Sequence, residues 1–173
     1  MADIAASGET RPRPPRSGTR RAAGIYGSII TAAILDTAGG HLSTGALVVS
    51  VVVTLVVYWL AEEYAEILGE QAEGGTLPGW TYIRNALAAT WPMVSSSYLP
   101  LLALVVARVA GASALTAANV GLVAAILLLI VHAWSAGRAA RLRGWQLLAA
   151  TSIAAGLGLV MILLKDLVLI HLH

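Results

Sequence analysis

The chain contains no cysteine, which excludes disulfides, iron–sulfur clusters and thiolate zinc sites. It also lacks phenylalanine, and Lys165 is its sole lysine; the other fixed positive charges are arginines. Charge of either sign is scarce. Asp, Glu, Lys and Arg make up 12% of the residues, against about 25% in a soluble domain. The scarcity is concentrated in long intervals. With histidine counted as neutral, no charged residue occurs between Asp36 and Glu62, Arg84 and Arg108, Arg108 and Arg138, or Arg143 and Lys165. Each interval exceeds the roughly 20 residues a helix needs to cross hydrocarbon about 30 Å thick. Enzyme signatures are missing too: there is no His-Glu-x-x-His, Gly-x-Ser-x-Gly, phosphate loop or dinucleotide fingerprint. A Ser96–His132 dyad would lack a third group. Paired axial histidines for haem cannot be assembled when only His132 falls well inside a hydrophobic run. The chain reads as a non-enzyme without a cofactor.

What is present is apolar. Hydrophobic residues make up 58% of the 173, and the mean hydropathy is +0.79. Inside a bilayer the backbone must satisfy its own hydrogen bonds, so apolar runs of this length predict helices. The expected fold is an all-α polytopic transmembrane bundle with five spans, at about 22–41, 45–68, 82–110, 114–137 and 145–169. A disordered, Pro- and Arg-rich tail is expected over 1–21, ahead of a transmembrane domain over 22–173. Asp3, Glu9, Pro12, Pro14 and Pro15 interrupt the place of a basic leader, so the first run reads as an uncleaved anchor. An odd number of spans puts the tail arginines (Arg11, Arg13, Arg16, Arg20, Arg21) on the same side as Arg138, Arg141 and Arg143. The positive-inside rule makes that side cytoplasmic, with the C-terminus outside. Most aromatics fall toward the same interface, with Trp91 and Tyr98 as exceptions. The net charge of +2 and pI of 9.3 are accounted for by these topology signals, not by nucleic-acid binding.

Small residues recur at four-residue spacing, as close packing between membrane helices requires. Gly24, Ser28 and Ala32 form one such stripe. Ala117, Gly121 and Ala125 form a second, and Ala150, Ala154 and Gly158 a third. All three are expected at helix seams, within one chain or between copies.

Candidate chemistry concentrates on the second run. Ser50, Thr54, Tyr58, Glu62, Glu66 and Glu70 recur every fourth residue and so share one slowly turning ridge. A polar ridge in a span avoids lipid and faces protein or water. It reads either as the lining of an ion pathway ending in carboxylates, or as hydroxyls bonded back to their own helix with hydrated glutamates beyond them. Glu63 falls on a different face, at headgroup level. Asp36 continues the Gly24–Ser28–Ala32 stripe. A carboxylate in hydrocarbon costs several kcal/mol unless it is paired or protonated, so Asp36 reads as an ion pair with Arg108 or Lys165, or as a protonation or ion site. His132 is a proton-relay candidate or an interfacial hydrogen-bonding residue. His171 and His173 are too few to hold a metal.

The third run is too long to cross straight, since a helix over 82–110 would extend about 43 Å. Pro92 and Pro100 are expected to kink it, and Ser95, Ser96 and Ser97 between them can satisfy the freed carbonyls. Such a break reads as a broken helix lining a site, or as an interfacial helix at 82–91 followed by a plain span.

The segment Thr54-Leu55-Val56-Val57-Tyr58-Trp59-Leu60-Ala61-Glu62-Glu63-Tyr64-Ala65 resembles one that recurs in small uncharacterised bacterial integral membrane proteins. The resemblance covers that helix and implies a multi-pass membrane fold; it brings no activity or catalytic residue. A composition dominated by Ala, Val, Leu, Gly and Arg has the look of a GC-rich bacterial gene, so the expected location is the bacterial inner (cytoplasmic) membrane. The function expected is an oligomeric channel or carrier for an inorganic cation or proton, because homo-oligomers can build a path on a symmetry axis. The alternative is a non-transporting scaffold or accessory subunit.

Overall fold

A computed structural model of the chain describes residues 17–74, 79–149, 151–153, 155–156 and 160. These residues are helical, with no strand among them. The elements are α1 (Ser17–Ala38), α2 (Thr44–Gly74), α3 (Trp80–Thr90), α4 (Pro92–Ser95), α5 (Tyr98–Val109) and α6 (Ala114–Ala139). Residues 145–149, 151–153 and 155–156 are helical as well. Most of the expected fifth span, the third small-residue stripe, Lys165, His171 and His173 lie outside the described residues.

Among the described residues three stretches are long and apolar enough to cross a membrane: Thr44–Gly69, Trp80–Val109 and Ala114–Ala139. These correspond to the second, third and fourth expected spans. α1 does not qualify by composition, because Arg20, Arg21 and Asp36 interrupt it and Gly, Ser and Thr dilute the rest. It also begins at Ser17, so the stretch 17–21, expected in a disordered tail, is helical. α2 runs to Gly74, six residues past the expected end at 68: the helix continues through Gly69, and Glu70, Gln71, Ala72 and Glu73 beyond it are residues compatible with a helix.

The position of α1 explains its composition. It packs chiefly against α6, and also against α4 and α2. Ala23, Gly24, Gly27, Ser28, Thr31, Ala32, Leu35 and Asp36 are all buried. A helix face packed closely against protein needs small residues for close approach more than it needs hydrophobicity. On the facing helix α6, Ala117, Ala118, Gly121 and Ala125 are buried. A Cβ at Gly121 would stand 3.1 Å from the Pro100 carbonyl oxygen and 3.2 Å from Leu35 Cδ1. The first two small-residue stripes are therefore seams inside the chain.

The tightest approach lies one position beyond the first stripe. A Cβ at Gly27 would fall 1.9 Å from the Met93 carbonyl oxygen and 2.2 Å from Ser96 Oγ, so no other residue fits there without backbone movement. The surrounding core includes Leu47, Val51, Leu55, Met93, Val94, Leu101, Leu104 and Leu122.

The third span breaks where the prolines predict. Trp91 and the pair Ser96–Ser97 separate α3, α4 and α5, and Pro92 opens α4. At the second break the Ser97 amide bonds Val94 O at 3.1 Å, a three-residue step that deprives the Met93 carbonyl of its usual donor. Ser96 Oγ replaces it at 2.9 Å, and Ser97 Oγ adds a bond to Val94 O at 2.8 Å. Between α5 and α6 the chain turns at Gly111, whose φ of +94° is the left-handed geometry of a helix C-terminal stop. Ala112 N reaches back to Ala107 O at 3.1 Å. Ser113 then caps α6, accepting the Thr116 amide at 3.1 Å.

Candidate functional site

α2 has two unlike faces. Leu47, Val51 and Leu55 point inward and are buried, as is Glu63 two turns on. The predicted ridge lies beside this face and looks outward. Ser50 is half-buried, while Thr54, Tyr58, Glu62 and Glu66 are exposed; the side chain of Glu70 lies outside the described set. Val49, Val53, Val57 and Leu60, also exposed, flank the ridge. The chain thus assembles these polar residues on one outer surface, within a stretch apolar enough to span a membrane.

Glu63 departs from expectation. It does not lie at the surface: its side chain is 2% exposed. The Thr90 hydroxyl, at the end of α3, hydrogen-bonds its Oε1. The indole Nε1 of Trp59, one turn earlier on α2, donates to the same hydroxyl at 2.9 Å. The Ala86 carbonyl lies 3.1 Å from that hydroxyl. Trp91, the first residue past α3, closes the group by meeting Trp59 edge to face, with ring centroids 5.1 Å apart at 80°. Glu63 Oε2 is buried and has no hydrogen-bond partner among the described residues. Ideal helical phase does not account for this: Glu63 lies about 80° around α2 from Leu55, and Glu62 only about 20° from it. The covered face shifts along α2, from Leu55 to Trp59 and Glu63, where Thr90 and Trp91 lie against it. The series 47, 51, 55, 59, 63 drifts about 40° at each step, and the equally spaced ridge 54, 58, 62, 66 is exposed, so spacing alone does not single out Glu63. The ring contact also corrects Trp91, which belongs at the depth of Trp59 and not apart from the other aromatics.

The remaining candidates are dispersed. Asp36 is buried on α1 at 4% exposure. Arg108 is exposed, and its guanidinium donates to Ala112 O at 2.8 Å, capping its own helix end. His132, half-buried on α6, places Nδ1 3.2 Å from Ser28 Oγ. Ser28 itself donates to Gly24 O at 2.9 Å. With that hydrogen used there, the Ser28 oxygen is placed to accept from an Nδ1–H of the imidazole. The ring lies over Gly24, where a Cβ would come within 3.1 Å of Nε2. Ser95 is half-buried, whereas Ser96, Ser97 and Pro100 are buried, with the two buried hydroxyls tied to their own helix. Among the described residues no group of three His, Asp or Glu could hold a metal ion.

No protein-family model, curated protein or solved structure matches the chain. A functional assignment therefore rests on the site: a buried carboxyl in a polar node, beside an outward polar ridge, on an apolar helix.

Proposed function

We propose that the protein is an oligomeric membrane channel or carrier for a cation or proton. In this reading copies of a five-span subunit sit in a bacterial cytoplasmic membrane, N-terminus inside and C-terminus outside. The ridge of α2 lines the path. One observation carries the reading: Thr54, Tyr58, Glu62 and Glu66 are exposed on the single chain. In an isolated subunit the carboxylates of that ridge nearest the hydrocarbon would face lipid, which polar side chains avoid. Apposition of the same ridge from several copies around an axis gives it water and protein instead. The interior of one chain is close-packed at Gly27, Met93 and Ser96, which favours a route between copies over a route through one. The resemblance of 54–65 to small bacterial membrane proteins agrees with the setting.

The test is ion and proton flux in liposomes containing the full chain. Glu62→Gln with Glu66→Gln is expected to change flux or its cation selectivity, and unchanged flux removes both carboxylates from the mechanism. A chain that gives no flux and co-purifies with one stoichiometric partner supports the accessory-subunit reading instead.

A further inference from the structure

We propose that Glu63 is a proton-binding site, its carboxyl carrying a hydrogen that bridges Oε1 and the Thr90 hydroxyl. Burial is the first ground. The side chain is 2% exposed, and Oε2 meets no donor among the described residues. An ionised carboxylate that deep, without a countercharge, carries a far larger desolvation penalty than a neutral acid.

The charged and titratable groups around it supply no countercharge. On its own helix the neighbouring acidic side chains are Glu62 and Glu66, which cannot supply a positive charge. α3 presents Thr90; its one charged residue, Arg84, is exposed and its one tyrosine, Tyr82, is half-buried. α4 has no titratable residue, and α5 carries Tyr98 and Arg108, both exposed. On α1 the candidates are Arg20, Arg21, Tyr26 and Asp36; Arg20 and Tyr26 are exposed and Arg21 is half-exposed. Among the described residues none of these makes an ion pair with Glu63.

The hydrogen-bond chain is the second ground. With the acid neutral, Oε1–H donates to Thr90 Oγ1. That oxygen also accepts the Trp59 indole N–H at 2.9 Å. Thr90 passes its own hydrogen to Ala86 O, 3.1 Å away. Every donor in the node then has an acceptor, and the one orphan atom, Oε2, is a neutral carbonyl oxygen. With the acid ionised, the same orphan is half of a buried negative charge. A metal cation fits less well, because the node offers it one carboxylate and one hydroxyl, while alkali and alkaline-earth ions take about six oxygens or more.

Glu66, three residues along the helix and exposed, stands on the adjoining flank and gives a proton an acceptor at the node's edge. The use of Glu63 in transport rests on the reading above; its proton binding does not.

The test is infrared spectroscopy of the full chain in lipid nanodiscs as pH is raised from acidic through neutral. A carboxylic-acid carbonyl band is expected to persist at neutral pH. It should be lost in Glu63→Gln, retained in Glu62→Gln and Glu66→Gln, and shifted in Thr90→Val, which removes the bonding hydroxyl but keeps the acid. If Glu63→Gln fails to assemble, the Thr90→Val shift decides alone. Three results would overturn the proposal: a band that survives Glu63→Gln, a band unmoved by Thr90→Val, or one abolished by sodium at constant pH. The readout is independent of flux, so a chain that conducts nothing leaves it intact. Loss of the band with normal flux would remove Glu63 and leave the transport reading standing.

Discussion

α1 and α2 each carry a polar or small residue at every fourth position, and the two repeats meet opposite surroundings. On α1 the series Gly24, Ser28, Ala32, Asp36 is buried throughout. On α2 the series Ser50, Thr54, Tyr58, Glu62, Glu66 is exposed from Thr54 onward. Four-residue spacing defines a helix face in both cases, but it does not say what covers the face. Side-chain size decides that. The α1 repeat is built of residues small enough for α6 to close over it, with the His132 ring close against Gly24. The α2 repeat includes Tyr and Glu, and the interior is filled instead by the neighbouring Leu47, Val51 and Leu55, with Glu63 drawn in behind them.

The sharpest way to break this contrast is to add bulk on the buried side. Gly27→Ala should destabilise the fold by about 3 kcal/mol or more, since the new methyl meets a backbone carbonyl that has no room to move. Gly45→Ala, where nothing lies within 4 Å of the new atom, is the matched control and should be neutral or slightly stabilising. Thermal inactivation of the two variants in detergent would measure the difference. Equal melting would mean that the α1–α4 contact is not as close as described.

A smaller effect is expected from the polar groups on the buried face. Ser28→Ala removes the bond to His132 and should cost about 1 kcal/mol. Nitrogen chemical shifts of the His132 ring should move with it, because Nδ1 loses its partner. A stability loss without a ring shift would separate the serine from the histidine.

The smallest effect on folding belongs to the outer ridge. Glu62→Gln and Glu66→Gln should leave the stability of the single chain within about 0.5 kcal/mol. Their consequence should appear in oligomer mass measured in nanodiscs and in flux. Substitutions that lowered chain stability as strongly as Gly27→Ala would show that the ridge is buried within the subunit after all.

The residues that define each helix were legible to different degrees. The apolar run at 114–137 matches α6 to within two residues and the run at 45–68 matches the start of α2, because length and hydropathy are local properties; the hydrophilic continuation of α2 to Gly74 is not marked by hydropathy. The breaks near Pro92 and Ser96–Ser97 were equally legible, since a missing proline N–H acts within one turn. Glu63 was not read correctly. By charge it resembles Glu62, and by ideal phase Glu62 is the nearer of the two to Leu55; Thr90 and Trp91, lying over Trp59 and Glu63, decide that Glu63 is the buried one. The pairing of Trp59 with Trp91 and the reach of Thr90 from another helix had no counterpart in sequence spacing at all. The same holds for Arg108, which serves its own helix end through Ala112.

The amino-acid order by itself determined that the chain is apolar, helical and interrupted where proline removes a donor, because each of these depends on residues within a turn or two of one another. Only the tertiary structure decided which face of α2 is inside, and that Gly27 is the point where two backbones touch. It alone brought a threonine from α3 to a carboxyl on α2. Those facts depend on how helices distant in sequence fit together, and complementarity of shape between surfaces is not encoded in the periodicity of either one.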